Sequence, residues 1–554
     1  MPPAPVFTPT PHSWTPLPGT ADTSDWRSAQ DLVVKTTPER FRSSEAYRIE
    51  ISESRKTLEV ASRSALPFAC QHLVQWQGGN ARSTPCGILE DAPRFPVRGF
   101  MLDISRCKVP TRASLEKWVG WLSICRFNQF QLYTEHTFAY TGHEEVWKDS
   151  SPMTPEDIDW LQDLCASHHI ELVPNQNCFG HFERWIRHPA YRRFAETPDG
   201  FLTPWGERRN IGSVLKPDAA SLHLVTGLLE ELLPLFRSRQ VNIGCDETFE
   251  LGQGASRERC NREGSGAVYT EFVSQIMKTV RAQHGKTPQF WADILLSHPE
   301  MLHRLPGNPI ALNWGYEAGH PYGKEGAKLA EAGLEVLVCP GTSSWRSFSG
   351  RTTNMRCNIL EALSAAETYG AKGVLLTDWG DAGHLQLEEV SLPALAWCGL
   401  SAWNASTTWD DALRLCEREL LGGLPGDASC WAEAGKVSET TGWEPVNCNA
   451  LFAFFGNTPA HQAQIAEISD ERLDSCQKAL DDLSEPSGHR EAWEQTLRNL
   501  QLSLCLERDR RTGGHTAVPL QQEAMKGHER LWRARNREGG LAESLSMYTR
   551  NANP

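Results

Sequence analysis

The chain has 554 residues, 40% of them apolar and 22% charged. At roughly 150 residues per domain this length predicts two to four domains, and so ordinary a composition excludes a disordered, collagenous or coiled-coil chain. Lys and Arg total 55 against 69 Asp and Glu, a net charge of −14, with no basic cluster. Neither nucleic acid nor an anionic membrane is therefore expected as a partner. The aromatic balance is unusual, with 20 Trp against 9 Tyr.

The 16 cysteines never occur as C-x-x-C and fall mostly within apolar runs, as Cys165, Cys178 and Cys339 do. That is the usage of reduced, buried thiols. Closely spaced ligand pairs are lacking, so neither a metal nor a cofactor is expected. The opening stretch "MPPAPVFTPTPHSW" has neither the basic nor the apolar region of a signal peptide, and no apolar run is long enough to span a bilayer. A cytoplasmic protein is the expectation.

In chain order, residues 1–30 are rich in Pro, Thr and Ser and read as a lead-in. Residues 31–97 read as a small α/β domain. Alternating Tyr47, Ile49 and Ile51, then Leu58 and Val60, predict two strands, and "ALPFACQHLVQWQ" carries helical spacing. From 98 to 404, short apolar runs alternate with amphipathic segments. Strands are expected to begin near Phe100, Phe130, Glu171, Val241, Gln289, Ile310, Glu335 and Gly373. Eight such alternations match a (β/α)8 TIM barrel. The competing doubly wound sheet lacks its G-x-G-x-x-G after the first strand. Residues 405–554 show long helical periodicity with polar outer faces, a helical C-terminal domain without a catalytic pattern.

Barrel enzymes carry their active residues at the C-terminal ends of the strands. There the sequence places Glu135 and His136, then Asn175, Asn177 and His181, then Asp246 and Glu247. Trp291 and Asp293, Asn313, Trp314 and Tyr316, Trp345, and finally Asp378, Trp379 and Asp381 follow; Arg98 opens the first strand. Indoles suit the apolar faces of pyranose rings, while carboxylates and Arg clamp hydroxyls. Each Trp also has a structural reading over the barrel mouth, and Asp293 and Asp378 could be helix caps. The pair Asp246–Glu247 resists such a reading, because adjacent buried carboxylates repel and add nothing to stability. Successive strand residues face opposite ways, so both can reach one ligand only if the backbone leaves β conformation there. An adjacent pair fits a mechanism whose nucleophile belongs to the substrate.

At these residues the sequence resembles glycoside hydrolase family 20, the β-N-acetylhexosaminidases. "ALPFACQHLVQWQ", "DAPRFPVRGFMLDISR", "VNIGCDE" and "DWGD" are similar to its motifs and stand in its order. The resemblance implies exo-acting, substrate-assisted hydrolysis with retention, on an oligosaccharide or glycoconjugate. Asp246 is then expected to orient the acetamido group, and Glu247 to be the general acid and base. Arg98 would grip ring hydroxyls, Glu135 and His181 form a relay, Trp291, Trp314 and Trp379 wall the pocket, and Asp381 bind distal hydroxyls. Asn242 and Cys245 replace the family's usual His and Gly. Its strand-seven Tyr-x-Asp gives way to "PGTSSWRSF", leaving Tyr316 or Trp345 to bind the acetamido oxygen. The alternatives are a related barrel glycosidase acting on another β-linked sugar and a catalytically silent sugar-binding homologue. The C-terminal helices are expected either to cover the barrel or to build a homodimer that completes the pocket.

Overall fold

The computed structural model describes residues 5, 7–8, 10–22, 32–77 and 83–549. Eight parallel strands form the centre: β6 (Val97–Asp103), β7 (Gln129–Tyr133), β8 (Glu171–Val173), β11 (Gln240–Asn242), β12 (Thr287–Trp291), β13 (Ile310–Trp314), β14 (Glu335–Cys339) and β15 (Gly373–Asp378). Their order is β11-β12-β13-β14-β15-β6-β7-β8. The Asn242 amide donates to the Pro174 carbonyl at 2.9 Å and Gln176 donates to Asn242 at 2.9 Å, which joins β8 to β11 and closes the barrel. All eight expected strands are present. Three of the helices between them start at side-chain caps, the first at Thr111. Thr154 and Asp157 make a reciprocal capping box for Pro155–Ser167, and Asp218 caps Ala219–Leu232.

The barrel interior is divided by chemistry. Towards its C-terminal mouth Met101, Tyr133, Trp291, Leu312, Leu337, Leu375 and Trp379 pack together. Deeper, carboxamides bond one another. Gln131 donates to Gln289 at 2.8 Å and accepts from both Asn175 and Asn242 at 3.1 Å. Asn175 is thus spent on the interior, and Asn242 supports the strand through the same network.

The small sheet has the order β1-β5-β3-β4-β2. Its strands are β1 (Ser13–Asp22), β2 (Leu32–Thr36), β3 (Tyr47–Ile51), β4 (Lys56–Val60) and β5 (Ser83–Asp91), with the helix Leu66–Trp76 against them. Residues 13–22 are therefore not lead-in but an edge strand, paired antiparallel with β5. An edge position tolerates Pro16 and Pro18, which have no amide hydrogen to give, and the register shifts between Pro16 and Thr20. Residues 23–31 of the expected lead-in and boundary lie outside the described residues. A two-stranded ribbon, β9 (Phe201–Leu202) and β10 (Arg208–Arg209), stands over the barrel mouth.

The C-terminal helices cover the barrel. Leu392–Trp403 is buried along its whole length, as an apolar helix must be. It lies between the barrel and later elements, with Trp403 packed on Phe68 of the small domain at 4.7 Å. Residues of the C-terminal part, including Leu415, Trp431, Trp493 and Leu531, belong to the same apolar core as the barrel. A second core joins Phe348 and Leu385 from barrel loops to helices Ala450–Gly456, Asp470–Asp481 and Arg490–Thr512. Buried Glu389 ties the two regions, accepting from Arg535 at 2.7 and 2.9 Å and lying 2.8 Å from His489. Among the described residues no helix is long and apolar enough to cross a membrane.

Arg98 is the expected site residue that the fold relocates. It stands near the N-terminal start of β6, fully buried, at the far end of the barrel from the mouth. Its guanidinium donates to the Arg126 and Phe95 carbonyls at 2.6 and 2.8 Å and to Glu45 of the small domain at 2.6 Å, beneath the Trp403 ring. Arg98 locks two domains together. Replacing it with Met strands a buried carboxylate, and is expected to lower unfolding free energy by about 3 kcal/mol. Urea unfolding checks this, with KM unchanged in the folded variant.

Candidate active site

The geometry of the mouth depends on how β11 ends. Gly244, Cys245 and Glu247 all have positive φ, at 66°, 74° and 50°. This run breaks the strand alternation and turns Asp246 and Glu247 into the same pocket. A Cβ on Gly244 would lie 2.0 Å from Asn177 Oδ1, so only glycine fits there. Asn177 pins the turn. Its Oδ1 accepts the Cys245 amide at 3.0 Å, and its Nδ2 donates to the Tyr133 hydroxyl at 2.9 Å and faces Asp246 at 3.4 Å. Cys245 carries a Cβ in left-handed conformation, a strain of about 1–2 kcal/mol, and is held by that bond and by Tyr269, whose hydroxyl donates to its carbonyl at 2.9 Å.

Charge separates the two carboxylates. His181 Nε2 lies 3.2 Å from Asp246 Oδ2 and 3.6 Å from Glu247 Oε2, while its Nδ1 lies 3.6 Å from Glu135. Burial disfavours the imidazolium, but Asp246, Glu135 and Glu247 together push His181 up to about 10. Burial alone would raise Asp246 too; the charged imidazole beside it outweighs that and holds its carboxyl below the usual range. Glu247 is shifted the other way, by burial first and then by Asp246, against the pull of His181. Asp293 begins the helix Asp293–Ser297 without capping it; it accepts the Glu247 amide at 3.0 Å. Burial and the charge of Asp246 push Asp293 up to about 8.

Around this pair lie Trp291, Trp314, Tyr316, Trp345 and Trp379. Trp314 stacks on Tyr316 with centroids 5.3 Å apart, and Trp345 meets Tyr316 edge-on at 5.0 Å. The Trp379 indole donates to the Tyr316 hydroxyl at 2.8 Å. The inner cavity is about 100 Å³ and opens past Glu247 and Asp381 into an outer one of about 660 Å³.

Of the residues to which the resemblance gives roles, all except Arg98 line these cavities, and the arginine common to both cavities is Arg106. Its guanidinium approaches Asp103, Glu135 and Asp381 at 3.3, 3.4 and 3.4 Å, above the rings of Tyr133 and Trp379. Asp103 fixes its backbone, accepting from the Ser105 and Arg106 amides at 2.8 and 3.1 Å. Arg98 and Arg106 flank one strand, and the rule that barrel sites lie at strand C-termini favours Arg106. Asp378 accepts from Thr342, Ser344 and Ser391 hydroxyls below the pocket, a structural role. His136 sits beside Cys107 at 3.6 Å, away from the site. Among the described residues no group of three or more His, Cys, Asp or Glu is arranged to hold a metal ion.

Residues 95–355 match the model of the glycosyl hydrolase family 20 catalytic domain. Over these residues the barrel is similar to the family 20 catalytic domain. A β-hexosaminidase of Akkermansia muciniphila is 26% identical over 276 residues, 45% of this chain and 55% of that protein. The match thus spans about half the relative's own length. Hexosaminidase D of Bos taurus is 26% identical over 292 residues, 48% of this chain and 80% of that one. The X-ray structure of Flavobacterium johnsoniae chitobiase superposes with a TM-score of 0.60 at 16% identity, covering 97% of this chain and 98% of that one, a likeness of fold that includes the C-terminal helices.

Within this barrel the turn and the arginine are the sensitive points. Gly244→Ala is expected to lower kcat by about 10²-fold, because small misplacements of catalytic groups have effects of this size. Arg106→Met is expected to raise KM by about 10-fold or more, the scale of a lost charged hydrogen bond. Steady-state kinetics of the two folded variants checks both.

Proposed function

We propose that this chain is an exo-acting, retaining glycoside hydrolase that removes terminal β-linked N-acetylhexosamine, with the substrate's own acetamido oxygen as nucleophile. The reading is carried by one observation: adjacent Asp246 and Glu247 share one pocket, yet Asp246 is held ionised and Glu247 is biased towards protonation. The small inner cavity suits a single terminal ring, and the larger outer one suits a leaving group.

In the first step the acetamido carbonyl oxygen bonds to the anomeric carbon as the glycosidic C–O bond breaks and Glu247 gives its proton to the departing oxygen. Asp246 accepts the acetamido N–H and faces the positive charge of the oxazolinium. Glu247, now a carboxylate, removes a proton from water attacking the anomeric carbon, which reopens the ring with net retention. His181 links Asp246, Glu247 and Glu135 as the expected relay. Arg106, with Asp381 beside it, takes the hydroxyl-binding role expected of Arg98. Tyr316 is the better replacement for the strand-seven tyrosine, because its hydroxyl accepts from Trp379 and keeps its own proton to donate.

Hydrolysis needs Glu247 protonated and Asp246 ionised. Activity is therefore lost as pH rises through the raised pKa of Glu247, and lost as pH falls through the lowered pKa of Asp246. A kcat/KM profile on aryl β-N-acetylhexosaminides should be bell-shaped, with its alkaline limb above the usual carboxylate range. Asp246→Asn is expected to cost about 10²-fold or more in kcat. Glu247→Gln should cripple alkyl glycosides while sparing those with acidic phenol leaving groups. Preference for β-galactosides, or indifference to a thiazoline analogue of N-acetylglucosamine, would overturn the acetamido mechanism. Sugar binding without turnover of any aryl glycoside would mark a silent homologue.

A further inference from the structure

The C-terminal helical part places a side chain in the inner pocket that the steps above leave unused. Asn447, three residues before the helix Ala450–Gly456, lines the same cavity as Trp314, Trp345 and Asp381. Its backbone is fixed twice over. It holds a left-handed φ of 52°, and its amide donates to Glu317 Oε1 at 2.7 Å. Glu317 is itself gripped by both terminal nitrogens of Arg351 at 2.8 and 2.9 Å. Among the described residues the Asn447 Oδ1 atom is buried without a hydrogen-bond partner. Buried amide oxygens are nearly always paired, and an unpaired one on the wall of a binding cavity is accounted for by a ligand that supplies the missing donor.

We propose that Asn447 binds a ring hydroxyl of the terminal sugar, so that the C-terminal helical part takes a direct share in substrate recognition. The inference rests on the pocket being the sugar site proposed above. Its chemistry is that of a carboxamide, which can accept from one hydroxyl and donate to another. Two constraints favour a recognition role over a turn-forming one. The left-handed backbone and the bond to Glu317 belong to the main chain and would survive loss of the side chain, whereas the unpaired oxygen belongs to the side chain alone.

Asn447→Gly separates the two roles, since glycine keeps the left-handed backbone and deletes only the carboxamide. The measurement is kcat/KM of wild type and variant on nitrophenyl β-N-acetylglucosaminide and on its 3-, 4- and 6-deoxy forms. The expected result is a loss of about tenfold on the parent sugar. That loss should vanish on the one deoxy sugar that lacks the recognised hydroxyl. Equal rates for wild type and variant on every sugar overturn the proposal, and so does the same loss on all four. A wild-type protein inert to all four would sink the hydrolase reading instead. The same comparison is then read from calorimetric affinities for N-acetylglucosamine and its deoxy forms, with the same outcomes for and against.

Discussion

The left-handed run at the end of β11 is the constraint on which the site depends. A regular strand would send Asp246 and Glu247 to opposite faces, one into the barrel and one into the helical layer. Positive φ at Gly244, Cys245 and Glu247 turns both towards one cavity. The cost is met locally. Asn177 takes the Cys245 amide, Tyr269 takes its carbonyl, and Asp293 takes the Glu247 amide. Asn177 and Asp293 come from neighbouring strand ends, so the turn forms only once the barrel has closed.

Burial and charge then divide the labour. Burial pushes Glu135, Glu247 and Asp293 towards neutrality, and Asp246 resists because the charged His181 lies against it. His181 holds Asp246 ionised, whereas Asp293 and Glu247 remain raised. Arg106 stands among Asp103, Glu135 and Asp381. Two adjacent carboxyls are thereby shifted in opposite directions, the separation that pairing a general acid with a charge-stabilising carboxylate calls for.

The barrel's two ends are finished by different parts of the chain. At the N-terminal end, the buried Arg98–Glu45 pair and the Trp403–Phe68 contact seat the small domain. At the mouth, the outer cavity has one wall from the barrel and another from Cys448, Phe452 and His461. The C-terminal helices therefore cover the barrel and line its outer cavity. Helix Leu392–Trp403 explains why they must be there: buried on every side, it has no soluble face without them.

Strand periodicity and the residues at strand ends pointed to the (β/α)8 barrel, the adjacent Asp246–Glu247 pair and the indoles of the mouth, and the family resemblance added the expected pairing of Glu135 with His181. These are local signals, because a strand's last residues face the mouth wherever the strand lies. Three features were beyond that reach. The strand Ser13–Asp22 was hidden because its prolines are acceptable only at an edge, and an edge exists only in an assembled sheet. Arg98 and Arg106 flank a single strand; which end opens to substrate follows from the closed barrel and from the small domain sealing the other end. Asn447 lies in a turn without periodicity, in a region that reads as plain helices. By itself, then, the sequence determined which groups the chemistry could use. Tertiary structure decided which of them meet, and in which direction each carboxyl is shifted, because both depend on burial and on distances between residues remote in the chain.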